Sequence, residues 1–274
     1  MKIFLTGATG FIGKNFLKLA KKKHYIFAPS RRIKKNIDNN IKWLLGSFEE
    51  NWKKELSDSN ILVHLAASGV NNNKIDNIYD VNLFKSSKLL QNAVKYNCKN
   101  WLIISSSSEY GIRITNNPYI FSSSTQRIPD TDYGLSKALF SDYCIKLAKK
   151  HNCKVRIMRL FPIYGTGENK NRLHPSLLKS IKKKKNFFLK NPNETRDFTN
   201  VNFTSKVLIN ALDFNKKKFR TSQVWHVSEN KPKKIKDFVD ETCNKNKSKI
   251  KVNLNKKNKK MFNHISDKNS VWKI

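Results

Sequence analysis

Apolar residues gather along this chain in short continuous runs. "KIFLT" (2–6), "YIFAPS" (25–30), "ILVHLAA" (61–67), "NWLII" (100–104) and "KVRIMRLF" (154–161) read as strands buried on both faces. Between them Phe11, Ile12, Asn15, Phe16, Leu19 and Ala20 recur at helical spacing, and 81–96 and 132–151 read as helices. Strands and helices thus alternate over residues 1–165, which predicts an α/β domain with a doubly wound parallel sheet. After Gly165 the pattern loosens. Helix then strand is expected over "SLLKSIKKKKNFFLK", and strand then helix over "RDFTNVNFTSKVLINAL". The tail from Asn244 is rich in Lys and Asn and poorly periodic. Residues 166–274 therefore read as a smaller mixed α/β lobe, with about 197–227 returning to the first domain.

"TGATGFIG" sets Gly7, Gly10 and Gly13 between the first strand and the first helix. Gly7 permits the sharp turn, Gly10 lets a pyrophosphate approach the positive helix end, and Gly13 allows helix to pack closely on strand. This is a dinucleotide-binding (Rossmann) signal in its proper strand–turn–helix setting. An acidic residue ending the second strand would bind a ribose 2′-hydroxyl. This chain instead has Ser30, Arg31 and Arg32, and a guanidinium suits a 2′-phosphate. NADP(H) is therefore expected over NAD(H).

"YGLSK" opens the helix at 132–151, so Tyr133 and Lys137 share one helix face. A phenol ordinarily titrates near ~10. A nearby ammonium together with a cationic nicotinamide ring would favour phenolate, letting Tyr133 exchange a proton with a substrate alcohol or carbonyl. "SSSSEYG" (105–111) follows a strand, which places its hydroxyls at the carboxyl edge of the sheet, where ligands bind in such folds. A serine there can hydrogen-bond the same substrate oxygen as Tyr133.

With these motifs stand "HLAA" (64–67), "VN" (81–82), "MRLFPIYGTGE" (158–168), "RLHPSLL" (172–178) and "RDFTNV" (196–201). Together they resemble the extended short-chain dehydrogenase/reductases, in the nucleotide-sugar epimerase/dehydratase branch. The resemblance implies Ser106 as the catalytic hydroxyl, Tyr133 as acid/base, and Lys137 as the residue that holds the nicotinamide ribose and tunes Tyr133. It also implies that Thr9, Phe11, Ile12, Ala66, Ala67 and Pro162 face the cofactor. Asn82, Ser107, Ser108 and Arg172 would serve the substrate, and Arg196 would grip its diphosphate. Pro162 stands where the family usually has Asn, and Gly46-Ser47 where it usually has Gly-Asp.

Within that branch, dehydratases commonly place an Asp-Glu pair directly after the catalytic hydroxyl. Here those positions are Ser107 and Ser108, with Glu109 one place later, so elimination is poorly equipped. The resemblance is strongest to reductases of CDP- or dTDP-activated 4-keto-6-deoxysugars, which serve surface-polysaccharide sugar biosynthesis. A 4-epimerase with retained NAD is the alternative, and a non-catalytic dinucleotide- and RNA-binding protein is a second. The implied partners are a nucleotide-diphosphate sugar and a second copy of the chain, in a homodimer built on the two long helices.

Charge adds one question. Lys and Arg number 55 against 20 Asp and Glu, a net +35, a field that draws anions. The lysines are spread along the chain beside abundant Asn and Ile, which reads as a basic surface rather than a dedicated nucleic-acid site. Cys98, Cys144, Cys153 and Cys243 form no C-x-x-C pair, so no metal and no disulfide framework is expected. His64 and His174 read as structural. No signal peptide and no membrane span are apparent, and a cytoplasmic protein is expected.

Overall fold

Seven parallel strands form the central sheet of the computed structural model. They are β1 (Lys2–Thr6), β2 (Tyr25–Ser30), β3 (Ile41–Leu45), β4 (Ile61–His64), β5 (Asn100–Ser106), β6 (Lys154–Leu160) and β7 (Ser222–Val227). Their order is β7-β6-β5-β4-β1-β2-β3. The structure describes residues 1–32, 34, 38–69, 77–113, 119–215, 221–254 and 263–274. Residues 255–262 of the Lys- and Asn-rich tail lie outside them.

Helices cover both faces. Ile3 and Leu5 of β1 pack with α1 (Phe11–Ala20) and α6 (Val201–Asn210) through Phe16, Val207 and Leu208. Phe4 points the other way and joins Leu62, Trp101 and Ile103 against α3 (Ser86–Lys95) and α4 (Asp132–Lys150). Burial on both sides is why these strands carry continuous apolar runs. Each such side chain contributes about 1.5–3 kcal/mol. An exposed ion pair such as Lys2–Asp58 gives about 0–1 kcal/mol, so the two apolar layers hold the fold despite the charge excess.

The chain order reverses between β1 and β4, which opens a crevice at their carboxyl ends. Two segments differ in detail from the sequence pattern. The strand at 61–67 stops at His64, because the Thr6 hydroxyl accepts the Ala66 N–H and turns the chain out of the sheet. The helix at 81–96 begins with a π-helical turn, Asp80–Lys85, before regular α3. The edge strand β3 and the short helix α2 (Lys53–Ser57) add to the elements expected.

The remaining elements flank the crevice. Leu177 of α5 (Leu173–Lys182) and Val239 of α7 (Ile235–Lys245) share a small core with Leu189. Leu189 belongs to a parallel pair of short strands, Phe187–Leu189 with Val252–Leu254. Thr195–Arg196 pairs antiparallel with Lys233–Lys234. Between these, α6 and β7 pack with the central sheet. Among the described residues, no helix is long and apolar enough to cross a membrane.

Candidate functional site

The glycine turn forms one end of the crevice. Gly7 has φ +70°, and a Cβ there would lie 2.6 Å from the Ala66 nitrogen. A Cβ on Gly13 would lie 2.0 Å from the Gly7 carbonyl oxygen, so α1 can dock on the turn only with glycine at that position. Gly10 caps α1 without a side chain, which leaves the first helical N–H groups open to an anion. Gly10, Phe11, Ile12 and Gly13 line a cleft of about 560 Å³ that continues to the end of β5 and the start of α4.

β5 extends through Ser106, and Ser107–Tyr110 then make one 3-10 turn. The serine run is thus a strand end and a tight turn. The Ser106 hydroxyl donates to Ser108 Oγ at 3.0 Å and accepts the Ser108 N–H at 3.1 Å. Thr131 caps α4 by accepting the Gly134 N–H, which places Tyr133 in the first helical turn. Ser106, Tyr133 and, one turn on, Lys137 line the same cleft, where the Ser106 hydroxyl acts on the Tyr133 phenol. Ser107 and Ser108 also line it.

Burial dominates the electrostatics. It pushes the Tyr133 phenol up to about 12, the Ser106 hydroxyl pulling the other way. It draws Lys137 down to about 8. Without a bound cationic ring, then, the phenol is held protonated. The lowering expected of Lys137 on Tyr133 is not what the protein groups alone produce.

Pro162, Arg172 and Arg196 also line the cleft. Each arginine is tethered by a glutamate: Arg172 Nε to Glu168 Oε1 at 3.3 Å, and Arg196 Nη2 to Glu194 Oε2 at 2.6 Å. Glu168 and His264 line the cleft as well, and sequence reasoning did not single them out. Glu168 closes the quoted "MRLFPIYGTGE" run and was legible there. His264 sits in the aperiodic tail, where no pattern marked it.

Five expected residues lie elsewhere. Asn82 is fully buried. Its amide oxygen accepts the Ser68 N–H, and its nitrogen donates to Ser68 O and Ser136 Oγ. It therefore braces the wall behind the cleft, with both amide N–H groups engaged. Thr9 is exposed beside the glycine turn, outside the cleft lining. Ala66 backs Gly7, while its neighbours Leu65 and Ala67 line the cleft. Arg31 and Arg32 are exposed at the end of β2, also outside the lining. His64 is structural, its ring nitrogens bonded to Thr6 and Ser86.

Residues 3–222 match the model of the NAD dependent epimerase/dehydratase family. GDP-6-deoxy-D-talose 4-dehydrogenase from Aggregatibacter actinomycetemcomitans is 31% identical over 209 residues, 74% of this chain and 67% of that one. CDP-abequose synthase from Salmonella typhimurium is 27% identical over 246 residues, 86% of this chain and 78% of that one. The fold is shared with UDP-glucuronic acid 4-epimerase from Bacillus cereus, solved in complex with UDP-glucuronic acid and NAD. That likeness has a TM-score of 0.84 at 21% identity, over 97% of this chain and 90% of the other.

Proposed function

The chain is an enzyme of the NAD dependent epimerase/dehydratase family, and within it we propose an NADP(H)-dependent reductase of a nucleotide-activated 4-keto-6-deoxyhexose. One observation carries this reading. Ser106, Tyr133 and Lys137 together line a cleft that begins at a glycine turn. The turn fits a dinucleotide, since Gly10 caps α1 without a side chain and leaves the first helical N–H groups open to a pyrophosphate.

The bound dinucleotide supplies the hydride. The chain's own groups do the rest. Tyr133, held protonated by burial, delivers its proton to the sugar oxygen at C4. Ser106 donates a hydrogen bond to that oxygen as negative charge grows on it. Lys137 holds the ribose beside them. Arg172 and Arg196 bring two guanidinium groups to the cleft, suited to a diphosphate. Glu109 is fully buried and ion-paired to Arg127 and Arg159, outside the cleft lining, which favours reduction over elimination.

Two relatives add support by name: one is a 4-dehydrogenase of a GDP-6-deoxysugar, the other a synthase of a CDP-sugar. The choice of NADP(H) rests on Arg31 and Arg32 and on the lack of a carboxylate at the end of β2. A homodimer is proposed on the exposed Phe84, Leu135 and Leu139 beside α3 and on α4. The test is to mix purified protein with NADPH and CDP-, dTDP- or GDP-4-keto-6-deoxyhexose and follow reduced-nicotinamide absorbance. Loss of absorbance supports the reading. No oxidation with any of them, and a 4-epimer formed with copurifying NAD, would replace it with epimerisation.

A further inference from the structure

Glu109 takes no part in the proton transfer, yet its two oxygens collect donors from four segments. The Ser105 hydroxyl at the end of β5 donates to Oε1, as does Ser141 of α4 at 2.7 Å. On Oε2, Arg159 of β6 donates through Nε at 3.0 Å, with Nη2 at 2.9 Å, and Arg127 through Nη1 at 3.2 Å. Arg159 is held in turn by the Tyr110 hydroxyl, which bonds His226.

The placement is specific. Ser105 adjoins Ser106. Ser141 lies one helical turn beyond Lys137, which itself lies one turn beyond Tyr133. One carboxylate therefore spans the two elements that must keep the serine and the tyrosine–lysine pair in register. A buried ion pair is not needed for stability alone, since apolar residues of like volume commonly serve as well. Here the anion also acts at a distance. After the dominant effect of burial, Glu109 works to keep Lys137 charged and Tyr133 protonated. Arg172 faces Tyr133 with the opposite sign, and the Cys144 thiol facing Lys137 is itself pushed well up by burial. Beyond Arg127 stands Asp142.

We propose that Glu109 is a positioning residue for this site, tying the strand end that carries Ser106 to the helix that carries Tyr133 and Lys137 and setting the charge felt by that pair. The proposal rests on the roles given to those three groups, but its decisive test needs no substrate. Lysine labelled at Cε with carbon-13 reports each ammonium by NMR, and the Lys137 signal is assigned by its loss in Lys137→Arg. In Glu109→Gln the Lys137 titration midpoint is expected to fall by about one pH unit, because the anion that favours the cation is gone.

Ser105→Ala with Ser141→Ala keeps every charge and is milder on the fold. There the carboxylate relaxes toward its arginines, and the midpoint falls by a smaller step. In the NADPH assay that double variant is expected to lose about tenfold in kcat with the KM for NADPH unchanged, as misplacement of a catalytic group predicts. An unmoved Lys137 midpoint in either folded variant overturns the proposal. If the wild type reduces no sugar nucleotide, the proposed function falls, while the Lys137 midpoint still decides for or against Glu109.

Discussion

Gly134 and Ser108 meet backbone to backbone: a Cβ on Gly134 would lie 2.4 Å from the Ser108 carbonyl oxygen. The first turn of α4 is thus seated directly on the serine turn, and the glycine after Tyr133 is what permits it. Neither backbone can yield cheaply, because Thr131 caps the helix at Gly134 and Ser106 caps the turn at Ser108. Gly134→Ala should therefore cost about 1–3 kcal/mol of stability. It should also lower kcat by drawing Ser106 away from Tyr133. Urea denaturation and NADPH oxidation measure the two effects.

Tyr133→Phe should remove the proton donor and leave the fold intact. A loss of about 10²-fold or more in kcat is expected, with NADPH binding retained. Fluorescence titration of the nicotinamide separates binding from turnover. Activity that survives in this variant would assign the proton to another group.

Lys137 sets an alkaline limit. Burial brings its ammonium down to about 8, so it is a cation below that pH and neutral above it. The pH profile of kcat/KM reports the free enzyme. It should fall on the alkaline side with a midpoint near 8, and Lys137→Arg should remove that limb. Tyr133 cannot produce it, since its phenol stays protonated to about 12.

Acid should weaken the fold through two histidines. Burial lowers His64 and His226 to about 3, while unfolded imidazoles titrate near ~6.5. The unfolded chain takes up these protons first as pH falls. Their contribution is complete above ~6.5 and drains away toward ~3, at about 1.4 kcal/mol per pH unit for each group. Urea midpoints at pH 7 and pH 5 should differ accordingly, and equal midpoints would contradict the assignment.

Cofactor choice should turn on the end of β2. Replacing Arg31 and Arg32 together by Ala should raise the Kd for NADPH about tenfold or more, the worth of charge-assisted hydrogen bonds, and leave that for NADH unchanged. Calorimetry with both dinucleotides decides it. Equal losses for the two would mean the arginines act only as general positive charge.

What was legible in the chain follows from how each part is buried. Strands β1, β2, β4, β5 and β6 are covered on both faces, so they announce themselves as apolar runs. β3 lies at the sheet edge, where Lys42 and Leu45 reach outward, and "IKWLL" carries a weaker mark. Gly7, Gly13 and the Tyr133–Lys137 pair were readable because sterics and helical spacing act locally. Nothing in "VN" tells that the Asn82 amide is engaged by Ser68 and Ser136. Glu109 was visible only as a displaced acid. Its partners Arg127, Ser141 and Arg159 lie 18, 32 and 50 residues away along the chain.

The π-helical turn at Asp80–Lys85 also fixes how this wall can change over time. Such a turn carries one residue more than a regular helix would use. A single-codon deletion would rewind it, swing Asn82 away from Ser68 and Ser136, and disarm the pocket's inner support in one genetic event, leaving the apolar layers untouched.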